Sequence, residues 1–298
     1  MAFLYPVPVY VIHYRAPEWC ATATRSIIAS KDVDVRVVVI DNSHSSPRLA
    51  QLLPPGVRIV GCSGNTGYSG GANKGIEDWR EQWPESPYAL VCSHDVILEA
   101  DCVSRLVGAA EADPSYGLLG PLLLDLHPDH SGGGTWNGRR ASQVAYSAVP
   151  GDVVSRDWVN GTCMLLRARC ICDVGGFDQQ LHSYVEDVDI GLRANDLGWK
   201  VGVVFRAVAR GQGSAVSHVQ ARIVKNTVLL AAKRSGVKGA SCSALDYARR
   251  VPIGLASSLN PKHPTAVRAA LRHEHLEAVR GLLQVSPSTL YRAVKNRN

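Results

Sequence analysis

The feature that most constrains the fold is an alternation of short apolar runs with amphipathic segments along the first 112 residues. The apolar runs lack polar alternation, which predicts strands buried on both faces. They are Val7–Tyr14, Val35–Ile40, Val57–Val60 and Tyr88–Cys92. Segments with helical spacing lie between or after them, at Trp19–Ser30, Ala72–Trp83 and Asp101–Ala112. This order predicts an α/β fold with a mostly parallel sheet flanked by helices.

Polar residues follow each predicted strand. They are His13-Tyr14-Arg15, Asp41-Asn42, Gly64-Asn65-Thr66-Gly67 and Ser93-His94-Asp95. Ligands of such sheets bind beyond the carboxyl ends of the strands, which meet at one edge. We therefore predict a binding site along this edge.

The later chain suggests a loop and a helical tail. The segment Leu126–Asp157 is rich in Gly, Ser and His, which predicts a binding loop or lid. Helical spacing returns in three segments, at His218–Arg234, Ala266–Leu283 and Ser286–Val294. We expect one α/β domain over residues 1–235 and a helical C-terminal extension over residues 236–298.

Charge and cysteine usage narrow the setting. The net charge is +6, and the basic residues are denser in the last third of the chain. This distribution favours an anionic partner, or it simply serves solubility. No block of basic residues has the character of a nucleic-acid-binding arm. Eight cysteines lack paired C-x-x-C spacing, which predicts free thiols of a reducing compartment. No signal peptide or transmembrane run is evident, so we expect a cytoplasmic protein, peripheral to a membrane at most.

A glycine-rich stretch at residues 64–75 is the first candidate site. Glycines let the backbone approach a ligand closely, and a following helix offers its amides to anions. The stretch lacks the G-K-[ST] ending of a Walker A loop and the G-x-G-x-x-G of a dinucleotide fold. A flexible loop before a helix is the alternative.

Two acidic motifs complete the candidates. Asp95, at a strand end, could hold a divalent cation on phosphates, or it could serve a turn. Ser183 and Glu186 have capping-box spacing, which predicts a helix start at Ser183. Glu186, Asp187 and Asp189 then crowd the first turn beyond what capping requires, so we expect a general base among them.

In this order and spacing, the motifs resemble the family-2 glycosyltransferases with a GT-A fold, in the bacterial branch that includes rhamnosyl- and galactofuranosyl-transferases. The resemblance covers about Val7 to Arg234. It rests on Val39–Ser43, Gly64–Tyr68 with Gly70–Gly75, Gly161–Arg167 with Gly175–Asp178, and Glu186–Arg193 with Gly198–Trp199.

The resemblance implies an inverting transfer of a sugar from a nucleoside diphosphate to a hydroxyl acceptor. Asp187 matches the catalytic base, and Asp41 should hold the donor's nucleoside. Asn65, Gly67 and Asn73 should line the nucleotide pocket. Other residues expected at the substrates are Tyr14, Trp158, Gly161, Glu186, Asp189, Arg210 and Arg222.

The resemblance also implies Mg²⁺ or Mn²⁺. Asp95 matches the last Asp of the family's D-x-D metal motif, but Ser93 replaces the first Asp, which weakens the expectation. The metal-binding His of many relatives is missing near residue 210. His218 could replace it as a ligand, and Arg210 could instead offer a fixed positive charge to the diphosphate.

Partners and rival functions follow from the same comparison. We expect a UDP- or dTDP-type sugar donor and an unnamed acceptor. The helix from Ala266 could face a membrane, pack on the domain or form a homodimer. A nucleotidyltransferase is disfavoured because Tyr10–Arg15 contains no Gly. A non-catalytic sugar-nucleotide-binding or partner protein fits the eroded metal motif, but not the retained Glu186 and Asp187.

Overall fold

The computed structural model describes residues 3–44, 46–124, 132–144, 152–212, 219–261 and 264–295. The chain forms two compact units. The α/β unit holds residues 1–135, 143–182 and 186–214, and the helical unit holds residues 136–142, 183–185 and 215–298. The expected boundary after residue 235 coincides with a break in a long helix at Ser235 and Gly236, and it stays a prediction.

Twelve strands lie in the described residues. They are β1 (Val7–His13), β2 (Val35–Asp41), β3 (Arg58–Gly61), β4 (Tyr88–Ser93), β5 (Val96–Leu98), β6 (Tyr116–Leu124), β7 (Gly133–Trp136), β8 (Ala141–Gln143), β9 (Val153–Ser155), β10 (Trp158–Val159), β11 (Cys163–Arg167) and β12 (Lys200–Gly211). The main sheet has the order β3-β2-β1-β4-β11-β6-β12-β5, with β9 on β12. Strands β1 to β4, β6 and β12 run parallel, whereas β11, β5 and β9 are antiparallel to their neighbours, so the predicted mostly parallel sheet is confirmed.

Helices cover both faces of this sheet. Those of the α/β unit are α1 (Pro17–Ile28), α2 (Ser46–Leu52), α3 (Gly67–Gln82), α4 (Cys102–Ala112), α5 (Ala168–Val174) and α6 (Glu186–Asp196). Successive strand residues point to opposite faces. Val9 and Val11 of β1 therefore pack in one core cluster with α1 and α4, while Tyr10 and Ile12 pack in the other with α3 and α6.

The carboxyl ends of the parallel strands line up at one edge. In the strand register, Asp41 lies beside both His13 and Gly61, and Ser93 lies beside Ile12. The polar residues that follow β1, β2, β3 and β4 thus meet at this edge, as predicted. We call it the strand-end edge.

The glycine-rich stretch is helical and not a loop over most of its length. Helix α3 begins at Gly67, five residues before the predicted start at Ala72. The reason is close packing. A Cβ on Gly71 would lie 2.8 Å from Cγ2 of Ile12, and one on Gly75 would lie 2.8 Å from the ring of Tyr10. The glycines therefore let α3 approach the sheet.

The predicted start of α6 at Ser183 is wrong. Tyr184 and Val185 have φ values of 70° and 73°, so the helix begins only at Glu186. His182 also has a positive φ of 59°. Positive φ is strained for a β-branched residue such as Val185, and such strain concentrates at functional sites.

The helical unit contains α7 (Val219–Ser258), α8 (Thr265–Leu283) and α9 (Pro287–Lys295). Helices α7 and α8 pack closely at Gly281, where a Cβ would lie only 2.3 Å from the carbonyl oxygen of Ala221. In the same unit, the side-chain amide of Asn226 donates to the carbonyls of Ser183 and Tyr184 at 3.0 and 2.8 Å. Within the described residues, no helix has the length and apolar character needed to cross a membrane.

The structure describes only part of the expected loop at Leu126–Asp157. Residues 125–131 and 145–151 lie outside the described residues. The described part is not irregular throughout, because it contains β7, β8 and β9. Strand β7 pairs with β10, and β9 pairs with β12 of the main sheet.

Candidate active site

The carboxylate of Asp187 is held by two backbone amides. Asp187 is the second residue of α6, and its Oδ1 accepts the N–H of Val188 at 2.8 Å. Its Oδ2 accepts the N–H of Gly161 at 3.0 Å. Burial raises the pKa of Asp187, although the two amides act in the opposite direction. A fixed carboxylate with a raised pKa is a stronger base than an exposed aspartate, which suits it to accept a proton from a substrate.

Gly161 brings the expected substrate residues together. A Cβ on Gly161 would lie 3.4 Å from Cβ of Asp187 and 3.6 Å from Oε1 of Glu186. The same Cβ would lie 3.6 Å from the ring of Tyr68, whose hydroxyl donates to the Gly161 carbonyl. Gly161, Glu186 and Asp187 therefore lie close together, with Tyr68 beside them, and their roles at the substrates stay a prediction. The sequence placed Tyr68 inside a recognised motif, but gave it no role.

Asp189 points into an ion pair within the unit. It is buried, and its Oδ2 accepts both Nε and one terminal nitrogen of Arg193 at 2.8 and 2.6 Å. Arg193 also donates to the carbonyls of Val174 and Gly176, each at 2.8 Å. This geometry ties α6 to the end of α5 and its following turn.

Trp158 is buried against α6. It is 4% exposed, and its indole N–H donates to the carbonyl of Thr135 at 3.3 Å. A Cβ on Gly191 would lie 2.7 Å from the carbonyl oxygen of Asp157 and 2.8 Å from Cα of Trp158. The unusual helical Gly191 therefore lets α6 lie directly on β10.

Asp41 is a buried anion at the strand-end edge. Its Oδ1 accepts the amide and hydroxyl of Ser43 at 2.9 Å, and its Oδ2 accepts the hydroxyl of Ser46 at 2.9 Å. Burial alone would raise the pKa of Asp41, but these hydrogen bonds outweigh it and lower the pKa to about 2. In this structure the carboxylate faces the protein interior.

His13, which sequence reasoning did not single out, supports Asp41. Its ring is fully buried, and burial lowers its pKa, so the imidazole is neutral. Its Nε2 accepts the amide of Ala16 at 3.2 Å. Nδ1 therefore carries the proton and donates to Oδ1 of Asp41 at 3.2 Å.

The expected nucleotide-pocket residues organise the start of α3. Oδ1 of Asn65 accepts the amide of Gly67 at 3.0 Å, and Gly67 has a φ of 72°. A Cβ on Gly67 would lie 2.2 Å from the carbonyl oxygen of His182, so no other residue fits. Asn73 pairs twice with the main chain of Phe177, at 2.8 Å for each bond.

Asp95 follows β4 at the same edge. The hydroxyl of Ser93, which stands in place of the first Asp of D-x-D, donates to Oδ1 of Asp95. His94 points elsewhere, with its Nδ1 3.1 Å from the carbonyl of Ile12. Within the ranges that the structure describes, no three His, Cys, Asp or Glu side chains cluster in a way that could hold a metal ion.

The remaining predicted residues are spread out. Tyr14 is exposed at the end of β1, with the guanidinium of Arg15 5.0 Å from its ring centre. Arg210 is exposed and pairs with Glu99 at 3.1 Å. Arg222 is exposed in the first turn of α7, in the helical unit. His218 lies outside the described residues.

Comparisons with solved structures define the class of fold. The chain is similar to a crystal structure of GalNAc-T7 with UDP, GalNAc and Mn²⁺, with a TM-score of 0.59 and 13% identity over 92% of this chain and 55% of that one. It is similarly close to the mannosyltransferase PcManGT from Pyrobaculum calidifontis in complex with GDP-Man and Mn²⁺, with a TM-score of 0.59 and 12% identity over 94% and 86% of the two chains. The fold is therefore the GT-A fold of nucleotide-sugar-dependent glycosyltransferases, as the resemblance implied.

Sequence comparisons define the family. The model of Glycosyl transferase family 2 matches residues 9–138, and that of Glycosyl transferase family group 2 matches residues 90–272. A similar protein is the N-acetylglucosaminyl-diphospho-decaprenol L-rhamnosyltransferase of Mycobacterium tuberculosis, at 27% identity over 77% of this chain and 85% of that protein. The chain belongs to the family-2 glycosyltransferases and is a glycosyltransferase enzyme, with similarity to the rhamnosyltransferase-like branch. The non-catalytic alternative is not favoured.

Proposed function

We propose that this enzyme transfers a sugar from a nucleoside diphosphate to a hydroxyl acceptor with inversion at the anomeric carbon. One observation carries the proposal. The Asp187 carboxylate is clamped by the amides of Gly161 and Val188, and burial raises its pKa. Asp187 is then a general base that takes the acceptor's hydroxyl proton as that oxygen attacks the anomeric carbon.

The stereochemistry follows from the direction of attack. The acceptor oxygen forms its bond on the face opposite the leaving diphosphate, and the bond from the anomeric carbon to the diphosphate breaks. A single displacement of this kind inverts the configuration. The transition state has oxocarbenium character, as in glycoside hydrolysis. Asp187 retains the proton until the products leave.

The donor binds, in this proposal, along the strand-end edge. Asp41, fixed by His13 and two serines, shapes the loop after β2 for the nucleoside. Asn65 and Gly67 order the start of α3, and the positive end of that helix's dipole suits the negative diphosphate. Asn73 fixes the far side of the pocket through Phe177.

A divalent cation fits this site only in part. Asp95 offers a carboxylate whose Oδ1 already accepts the Ser93 hydroxyl, so one carboxylate oxygen remains for Mg²⁺ or Mn²⁺. The cation would neutralise charge on the leaving diphosphate, whose oxygens would supply further ligands. Arg210 and Arg222 stay proposed diphosphate contacts, and His218 stays a proposed ligand.

The curated relative suggests the substrate classes. Its name describes rhamnosyl transfer to N-acetylglucosaminyl-diphospho-decaprenol. We propose that this enzyme likewise uses a UDP- or dTDP-linked sugar and a sugar carried on a polyprenyl diphosphate. It then works at the cytoplasmic face of a membrane, either as a monomer or as a homodimer.

A thermal-shift panel of UDP, dTDP and GDP, each with and without Mn²⁺, tests the donor site. Ligand binding to the native state raises the melting temperature. We expect UDP or dTDP to give the largest shift, with a part that needs Mn²⁺ and disappears in Asp95→Asn. The matched control is Asp34→Asn, which removes an exposed carboxylate paired with Arg36. No shift with any nucleotide would contradict the donor site.

The charge distribution supports membrane contact by the helical unit. Residues 249–298 hold nine Lys or Arg against two Glu, so the rest of the chain is nearly neutral despite the net charge of +6. Apolar side chains are exposed among these charges. They include Ile253, Leu259, Leu276, Leu283 and Tyr291. Basic residues interleaved with exposed apolar ones fit an anionic lipid surface.

Vesicle co-sedimentation tests the membrane contact. Each basic residue near an anionic surface contributes about 1 kcal/mol. Reversing two charges with Arg272→Glu and Arg292→Glu should therefore lower binding to phosphatidylglycerol vesicles by about tenfold or more. The matched control reverses the exposed Arg80 and Arg169 of the α/β unit. Equal binding by both double variants would contradict the proposal, and a change in oligomeric state instead would assign the surface to a homodimer.

A further inference from the structure

The backbone of Gly161 is held by side chains on both of its sides, through its amide and through its carbonyl. Its N–H group donates to Oδ2 of Asp187 at 3.0 Å. The Gly161 carbonyl on the other side of that residue accepts the hydroxyl of Tyr68. Gly161 is buried, and its missing Cβ leaves room for Tyr68, Glu186 and Asp187 to surround it.

Tyr68 is itself fixed. It lies in the first turn of α3, next to Gly67, and its ring packs edge-on against Phe177 at 6.1 Å between ring centres. Burial raises the pKa of Tyr68 well above its usual value, so the hydroxyl stays protonated and can only donate to the carbonyl. The residues on either side of Gly161 are anchored, because the amide of Asn160 donates to the carbonyl of Gly132 and the carbonyl of Thr162 accepts the amide of Ser93. The Tyr68 hydroxyl fixes the carbonyl that lies between these two anchors.

We propose that the hydroxyl of Tyr68 is a positioning group that sets the orientation of the Asp187 carboxylate through the backbone of Gly161. This inference rests on the proposed role of Asp187. Tyr68 follows Gly67, which lies in the proposed donor-binding turn. The same turn then also sets the orientation of the Asp187 carboxylate. Donor site and base are thereby connected through two hydrogen bonds of one residue, Gly161.

The substitution Tyr68→Phe tests the proposal, because it keeps the ring against Phe177 and removes only the hydroxyl. Without that hydroxyl the Gly161 carbonyl loses its donor, and the Gly161 amide is held less closely to Asp187. The hydrogen bond from that amide then weakens and lowers the pKa of Asp187 less. We expect kcat to fall about tenfold, with nucleotide binding unchanged, and the acidic limb of the pH–kcat profile to move to higher pH. The matched control is Tyr116→Phe, whose hydroxyl lies 3.2 Å from Oγ of Ser155.

A second measurement is independent of turnover. Glycine-selective ¹⁵N labelling allows the amide of Gly161 to be followed by NMR as pH changes, with Asp187→Asn identifying its signal. In the wild type the amide should titrate with the carboxylate of Asp187, and in Tyr68→Phe this titration should shrink and shift to higher pH.

Failure of the proposed role of Tyr68 can be distinguished from failure of the proposed role of Asp187. An identical Gly161 titration in wild type and Tyr68→Phe would overturn the role of Tyr68, whatever Asp187 does in catalysis. If Tyr68→Phe lowered kcat and nucleotide binding equally while the Gly161 titration stayed unchanged, the loss would reflect a general loosening of the fold. That result would also overturn the role of Tyr68. Full activity in Asp187→Asn would refute the base, while the titration would still decide whether Tyr68 orients the carboxylate.

Discussion

Replacing Asp187 with Asn should reduce sugar transfer by about 10²–10⁴-fold, the usual contribution of a positioned general base. The amide is nearly the same size as the carboxylate, but it cannot accept the acceptor's proton. Donor binding should be preserved, because the nucleotide residues lie at the strand-end edge. Steady-state release of nucleoside diphosphate in the presence of acceptor measures the effect, and calorimetric nucleotide titration checks donor binding.

The matched control is Asp196→Asn, which changes an exposed carboxylate at the other end of α6. It should leave turnover unchanged. The wild type should also lose activity as pH falls through the raised pKa of Asp187, because protonation removes the base. Turnover in Asp187→Asn that stays within a few-fold of the wild type would show that another group takes the proton.

Replacing Asp189 with Ala should destabilise the protein by about 3 kcal/mol, the loss typical of removing one partner from a largely buried ion pair. The Asp189 side chain is only 7% exposed, and Arg193 would keep its charge with carbonyl partners alone. Denaturant unfolding measures the free energy. Activity should fall only through loss of folded protein, because the carboxylate is directed at Arg193.

The chain offers a close control for this prediction. Asp101 and Arg105 have the same residue types and the same four-residue spacing, at 2.6 Å, but both side chains are more than 40% exposed. Exposed pairs on a helix contribute only about 0.3–0.5 kcal/mol. Asp101→Ala should therefore have a small effect. An equally small effect of Asp189→Ala, with turnover nevertheless lost, would instead place Asp189 at the substrate.

The fold was predictable where buried strands left an unambiguous apolar pattern. The first four strands and the strand-end edge follow from the runs around Val9, Val37 and Leu90 and from the polar residues after them. The start of α3 was not predictable, because glycines at positions 67, 70, 71 and 75 indicate a loop when only the neighbouring residues in the sequence are considered. Their role depends on how closely α3 approaches Ile12 and Tyr10 across the sheet.

The candidate site was predictable in its carboxylates, but not in their supports. The acidic cluster of Glu186, Asp187 and Asp189 stood out because it exceeds what a helix start needs, and the family resemblance selected Asp187 among the three. The hydrogen bond between Gly161 and Asp187 joins residues 26 positions apart, and the one between Tyr68 and Gly161 joins residues 93 positions apart. The spacing of neighbouring residues in the sequence does not reveal such contacts. The deep burial of Asp41 depends likewise on His13 of a neighbouring strand. The capping box failed because positive φ values at Tyr184 and Val185 delay the helix.

The anomeric configuration of the product tests the central claim most directly. The wild-type enzyme would be supplied with a donor of known anomeric configuration, chosen by the nucleotide panel, and a soluble analogue of a polyprenyl-diphosphate sugar. The one-bond ¹H–¹³C coupling at the anomeric carbon gives the configuration of the new linkage. A linkage opposite to that of the donor is the result that single displacement with Asp187 as base predicts. A retained configuration would contradict it.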